Sequence, residues 1–250
     1  MTLPLVIAHR GDSSRALENS REAVRLALSL PVDMIELDVR RSRDNRLYVI
    51  HDQHTGRTAD RNINIETSEA EEIGAVRLRN GESVPLLEDI LSLVGGRAAL
   101  NLEIKSEGAG GLCAALLAGS GYRGKVLISS FKEHEVLDAR RVMPSLGFSE
   151  IFDDLSVSDL GRYASKNYGA VSLRKRTVDK ALIDACHALR TRVYVWTVDE
   201  PEEMRKFIEW GADGIYTNRP AVLKEVVMSA ECGVRSAEEQ KGAECRERRE

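Results

Sequence analysis

The run Glu36-Leu37-Asp38-Val39 sets two carboxylates two residues apart, with Ile35, Leu37 and Val39 alternating against them. In an extended strand that spacing puts Glu36 and Asp38 on one face. Two carboxylates on an inner face are costly unless something neutralises them. A divalent cation would do so, and salt bridges to Arg or Lys are the alternative. Hard oxygen ligands suit Mg²⁺ or Ca²⁺, so one such ion is the expected cofactor. A second run, Asn101-Leu102-Glu103-Ile104-Lys105, puts Glu103 and Lys105 together on one face. Glu103 is a third candidate ligand, and Lys105 can face a phosphate; a Glu–Lys pair with no substrate role is the alternative. His9-Arg10-Gly11-Asp12 adds an imidazole, often only structural at such a place. It also adds a guanidinium whose fixed fork suits phosphate oxygens.

These side chains meet only if their strands lie side by side. Short apolar runs at 5–9, 34–39, 47–51, 99–105, 125–131, 146–152, 170–173, 192–198 and 214–218 predict nine strands. Segments with helical spacing at 19–30, 133–142, 157–166, 178–189 and 201–210 lie between them. Asp199 is a candidate cap for the helix with Pro201 in its first turn, Ser156 or Ser158 for the 157–166 segment, and Gly211 a helix stop. Strand–helix alternation of this length predicts a parallel sheet with helical crossovers. The second and third strands have only a short polar link, with Asp44-Asn45 as a hairpin turn. Removing that returning strand leaves eight, and the expected fold is a (β/α)₈ barrel with an extra hairpin strand after the second. An open doubly wound sheet is the alternative, weakened because no Gly-rich dinucleotide loop follows the first strand.

In such a barrel, polar residues at the C-terminal ends of strands sit at the mouth. With Asp44-Asn45 as the turn, simple antiparallel pairing sets His51 opposite Asp38 on the same face, and a one-residue slip would turn it away. Trp196, in Tyr194-Val195-Trp196-Thr197-Val198, is either a core residue or a ring at the mouth, able to pack against a carbon skeleton or a cationic alcohol. Phe131 is a weaker case of the same kind. Asn218 closes the last strand, where capping the final helix is the plain reading. Arg174-Lys175-Arg176 is a local basic cluster, readable as a solvated loop end or as a phosphate contact.

The 250 residues carry a net charge of −4, with 42% apolar and 30% charged side chains. That balance lacks the basic footprint of a nucleic-acid binder. Cys113, Cys186, Cys232 and Cys245 are scattered without a C-x-x-C pair, as free thiols in a reducing compartment would be. The N-terminus reads as a first strand rather than a signal peptide, and no apolar stretch approaches the roughly 20 residues of a membrane span. A cytoplasmic protein is expected, with homo-oligomerisation left open. Residues 1–230 are expected to form one barrel domain, and 231–250, small, polar and charged, a flexible tail.

The ordered set His9-Arg10-Gly11, Glu18-Asn19-Ser20, Glu36-Leu37-Asp38-Val39, His51-Asp52, Pro85-Leu86-Leu87-Glu88, Glu103-Ile104-Lys105, Ser130-Phe131, Trp196-Thr197-Val198, Gly211-Ala212-Asp213-Gly214-Ile215 and Thr217-Asn218-Arg219-Pro220 resembles the glycerophosphodiester phosphodiesterases. The resemblance implies a distorted (β/α)₈ barrel and a divalent cation held by Glu36, Asp38 and Glu103. It further implies His9 and His51 as the acid/base pair and Arg10 and Lys105 as phosphate-binding cations. The substrate would be a small glycerophosphodiester, such as that of choline, ethanolamine, glycerol or inositol, cleaved to glycerol phosphate and an alcohol. Two features depart from the family. His54-Thr55-Gly56-Arg57-Thr58-Ala59 stands where an apolar residue and a Thr pair are usual, and the stretch between His51 and Pro85 is short. Two rival functions are weighed: a phospholipase C or D acting on intact lipids, and a phosphate-ligand binding barrel without catalysis. Neither an exposed apolar or basic membrane segment nor a missing site residue favours them.

Overall fold

A computed structural model of the chain describes residues 3–231. Among the described residues there are nine strands: β1 (Leu5–His9), β2 (Met34–Arg41), β3 (Leu47–Val49), β4 (Ala99–Ile104), β5 (Val126–Ser130), β6 (Gly147–Phe152), β7 (Gly169–Arg174), β8 (Arg192–Trp196) and β9 (Gly214–Thr217). The order β1-β9-β8-β7-β6-β5-β4-β2 is parallel throughout, and β1 also pairs with β2, so eight strands close on themselves. Only β3 runs antiparallel, attached to the end of β2 outside the ring. The expected barrel with one hairpin strand is the fold found, and the open sheet is excluded by closure.

Period-2 alternation divides every barrel strand between two environments. Ile35, Leu37 and Val39 of β2, and Leu100, Leu102 and Ile104 of β4, are buried among the surrounding helices. The helices are α1 (Arg21–Leu28), α2 (Ala70–Gly74), α3 (Leu87–Val94), α4 (Ala109–Ser120), α5 (Glu133–Val142), α6 (Leu160–Ala164), α7 (Lys180–Ala188) and α8 (Pro201–Trp210), with a further helix over 220–231. Inside the ring, Ile7, Met34, Leu127, Ala170, Tyr194 and Tyr216 form an apolar cluster. Beside it Asn101 donates to the Tyr216 hydroxyl (2.8 Å) and accepts from Ser129 (2.8 Å), while Ser172 bonds Tyr216 (3.1 Å) and Ser149 (3.2 Å). The barrel is therefore a filled core in which these amide and hydroxyl groups are paired, and it holds the strand ends in fixed positions.

Local chemistry sets the helix ends. The Ser20 hydroxyl accepts the Ala23 N–H at 3.0 Å ahead of α1, and Asp179 accepts Leu182 N–H at 2.8 Å ahead of α7. Gly211 ends α8 at φ +88°, as a left-handed C-cap does. Two caps differ from expectation. Glu200, not Asp199, precedes α8 as N-cap, and neither Ser156 nor Ser158 caps with its side chain. The 157–166 segment is a 3₁₀ turn followed by the short α6. Cys113 and Cys186 are buried free thiols. The expected tail, except its first residue Glu231 at the end of the last helix, and the thiols Cys232 and Cys245 lie outside the described residues. Among the described residues no helix is long and apolar enough to cross a membrane.

Candidate active site

The hairpin after β2 has a register one residue away from the simple one. Val39 pairs with Val49, Arg40 with Tyr48 and Arg41 with Leu47. Ser42 N–H then donates to Arg46 O at 2.9 Å, so three residues, 43–45, form the loop, with Asn45 at φ +64°. This is the three-residue hairpin closed by a left-handed residue. The shift puts Ile50, not His51, beside Asp38, with Ile50 N–H donating to Asp38 O at 3.0 Å. His51 still reaches the site, because β3 stops at Val49 and the chain bends. Arg40 Nε holds the His51 carbonyl at 2.7 Å across that bend. The condition that these groups meet only in the unslipped register is thus corrected.

At the end of β1 the backbone enters the left-handed region at Arg10 (φ +57°) and Gly11 (φ +82°). A Cβ on Gly11 would lie 2.7 Å from the Ala23 carbonyl carbon, so the β1 exit and α1 pack backbone to backbone. We predict that Gly11→Ala destabilises the fold by about 2–4 kcal/mol, from left-handed strain plus overpacking. Urea unfolding would show a lower midpoint; an unchanged midpoint contradicts the close packing. The turn delivers Arg10 onto the acidic strand: its N–H donates to Glu36 Oε2 (2.9 Å), Nη1 to Glu18 Oε1 (2.9 Å), and Nε lies 3.1 Å from Asp38 Oδ2.

One cavity of about 260 Å³ at the C-terminal ends of the strands is lined by His9, Arg10, Glu36, His51, Glu103, Lys105, Phe131 and Trp196, among others. Eight of the nine expected site residues thus share it. Asp38 lies behind, fully buried, but a carboxylate oxygen from each of Glu36, Asp38 and Glu103 falls within 4.8 Å of the others. Basic partners are also present. Lys105 bonds Glu103 and lies 3.3 Å from Asp38 Oδ1. Two cations still face three carboxylates, and Glu36 Oε1 is buried without a hydrogen-bond partner. Burial raises the Glu36 carboxyl well above the usual range, and the Asp38 charge adds to this. Glu103 is raised by burial against the pull of Lys105. Asp38 is held low although burial opposes it, because Lys105 and Arg10 flank it. An excess of buried carboxylate with an unpartnered oxygen, in an all-oxygen donor set, fits a hard divalent cation.

Both imidazoles are fixed from behind. His9 Nδ1 meets Asn218 Oδ1 at 2.7 Å. The Asn218 amide is oriented by Asp199, whose Oδ2 accepts Nδ2–H at 2.7 Å. With the amide oxygen toward the ring, His9 Nδ1 must be the donor, and Nε2 carries the lone pair. His51 Nδ1 meets Asp52 Oδ1 at 2.7 Å, which likewise leaves its Nε2 available. Burial lowers the pKa of His9, helped by Arg10, and burial also lowers that of His51 against the opposing charge of Asp38.

Several of these supports carry no site role in the sequence reading. Asn19, at φ +58°, donates to Asp38 Oδ2 (2.8 Å) and accepts Asp38 N–H (3.2 Å). Arg57 joins Asp52 (Nε, 2.5 Å) to Glu18 (Nη1, 2.9 Å), linking the supports of His51 and Arg10. Asn218 serves His9 rather than only a helix end. Glu18, Asn19 and Asp52 are themselves motif residues and Asp199 directly follows the run Trp196-Thr197-Val198, a usable signal; Arg57 has no such signal.

The model of the Glycerophosphoryl diester phosphodiesterase family matches residues 9–222. The chain belongs to that family. It is a phosphoric diester hydrolase by descent. The glycerophosphodiester phosphodiesterase of Caldanaerobacter subterraneus subsp. tengcongensis is 31% identical over 89% of this chain and 97% of its own length. A probable glycerophosphodiester phosphodiesterase of Mycobacterium tuberculosis is 28% identical over 90% of this chain and 91% of its own. Among solved structures, an Oleispira antarctica phosphodiesterase in complex with its product sn-glycerol-3-phosphate superposes with a TM-score of 0.84. It is 22% identical over 90% of this chain and 97% of that chain, so it speaks for the barrel alone.

Proposed function

We propose that the protein hydrolyses small glycerophosphodiesters to glycerol phosphate and a free alcohol, within one catalytic domain over residues 1–230. Arg10 and Lys105 bind the phosphate, and His9 and His51 move the protons. Glu36, Asp38 and Glu103 hold one divalent cation, Mg²⁺ or Ca²⁺. The observation that carries this reading is the single cavity shared by two imidazoles and two phosphate-seeking cations, with the acidic trio at its wall. Family membership fixes the reaction class; the roles rest on this geometry.

One histidine, neutral and held by its Nδ1–H, takes a proton from the nucleophile at Nε2. The other delivers a proton to the leaving alcohol. General acid–base catalysis supplies about 10²–10⁴-fold, whereas enzymes reach about 10⁶-fold or more. The difference falls to charge stabilisation around the phosphoryl oxygens, where Arg10 offers a guanidinium fork and Lys105 an ammonium. Glu36, Asp38 and Glu103 would hold a divalent cation, which would supply further Lewis-acid charge stabilisation when bound. Trp196 and Phe131, 5.7 Å apart in an edge-to-face pair, form the apolar wall.

Release of glycerol phosphate from a soluble glycerophosphodiester tests the activity; cleavage of liposomal lipid alone would favour the phospholipase reading. A pH profile tests the histidines. Because both imidazoles are pushed below the ordinary value of 6.5, the base stays unprotonated to lower pH than free imidazole. The acidic limb of kcat/KM is expected to inflect below pH 6.5; an inflection above that value contradicts the assigned environment.

A further inference from the structure

The basic run Arg174-Lys175-Arg176 does not act as one surface patch. Lys175 turns to Glu203 (2.6 Å), whereas Arg174, the last residue of β7, lines the catalytic cavity beside Ile151 and Trp196. Its guanidinium lies 5.6 Å from the centre of the Trp196 ring. Asp153 accepts from Nη1 at 2.7 Å, and among the described residues no other Arg174 side-chain nitrogen is hydrogen-bonded. The Thr177 hydroxyl ties the backbone beneath it, bonding the carbonyls of Arg174 (2.9 Å) and Asp153 (3.1 Å). The other ring of this wall, Phe131, has Lys105 Nζ 5.8 Å from its centre.

We propose that this wall is the subsite for the variable alcohol of the diester and selects an uncharged polyol or an anionic group over an ammonium. The inference rests on the hydrolase reading above and narrows its substrate class. The phosphate is bound at Arg10 and Lys105, and the substituent that varies in size must extend toward the open rim, where Phe131 (46% exposed) and Arg174 stand. An ammonium is recognised by free aromatic faces or by carboxylates. Here a cation of the chain already lies over each ring. The carboxylate nearest Arg174, Asp153, is paired with it, and the three inner acids belong to the cation site. A positive alcohol would therefore sit among like charges, whereas hydroxyls, a carboxylate or a phosphate would find guanidinium donors.

The test compares kcat/KM of the full chain for glycerophosphoinositol phosphate, glycerophosphoglycerol and glycerophosphocholine, at fixed divalent cation. The expected order is anionic at or above neutral, with the choline diester about tenfold or more below the neutral one, as like-charge exclusion requires. Arg174→Glu should reverse the order of the choline and inositol phosphate diesters. If that variant does not fold, the wild-type order decides alone. Turnover with choline equal or preferred, or an order unmoved in folded Arg174→Glu, overturns the subsite and leaves the hydrolase standing. No turnover of any of the three overturns both.

Discussion

Alanine at His9 or at His51 is expected to lower kcat by about two to four orders of magnitude, with KM little changed, because the proton-transfer share of catalysis is lost while phosphate binding is kept. At about 1.4 kcal/mol per decade this is roughly 3–6 kcal/mol of transition-state stabilisation. The rings are held by Asn218 and Asp52 through Nδ1, so neither is needed to hold Arg10 or Lys105 in place. The double variant should be little worse than the more damaged single one, since the two proton transfers belong to one displacement and the two groups act as a unit. Steady-state kinetics on a soluble glycerophosphodiester, with metal saturating, is the measurement. Near-normal turnover in either single variant removes that histidine from the acid/base pair. A loss confined to KM would make it a binding residue instead.

The parts of this site that could be read along the chain are those that depend on local periodicity. Alternation in 34–39 and 99–105 placed Glu36 with Asp38 and Glu103 with Lys105, since a strand's side-chain period is fixed at two. The helix over Glu133–Val142 and the one over Pro201–Trp210 have the expected bounds because their apolar faces repeat at helical spacing. The hairpin register was not legible. Asp44-Asn45 suits a two-residue turn as well as a three-residue loop, and what distinguishes them is that Asn45 is left-handed while Asp44 is not. His51 escaped that error because a short β3 and the Arg40 contact set its position, not strand alternation. The supports of the site span the chain, with Asn218 209 residues from His9 and Arg57 39 from Glu18. No spacing rule reaches across such separations; they exist only once the barrel has closed.

The acidic trio gives the other large effect. Glu36→Gln keeps the shape of the side chain and removes one charge, and is expected to reduce turnover by about 10³-fold or more, as losing several kcal/mol of metal-assisted charge stabilisation would. Thorough EDTA treatment should do the same to the wild type, with Mg²⁺ or Ca²⁺ restoring activity. Activity alone would not separate cation binding from a direct role of the carboxylate, but stability does. In the cation-free protein, Glu36 and Glu103 have raised pKa values. Their folded-state contribution is fully present below the ordinary value of 4.5 and is lost as pH rises through the raised values. Asp38 runs the opposite way: its contribution is present above 3.8 and lost as pH falls through its depressed value, so it is constant across the neutral range. Raising the pH from 5 to 8 should therefore lower the cation-free Tm through Glu36 and Glu103. A cation that binds the ionised carboxylates should restore more Tm at pH 8 than at pH 5. Glu36→Gln should lose part of that pH dependence and part of the cation response together. If its Tm still responds to the cation as the wild type does and its turnover persists, Arg10 and Lys105 alone neutralise the cluster, and the phosphate chemistry must be sought without a metal at these carboxylates.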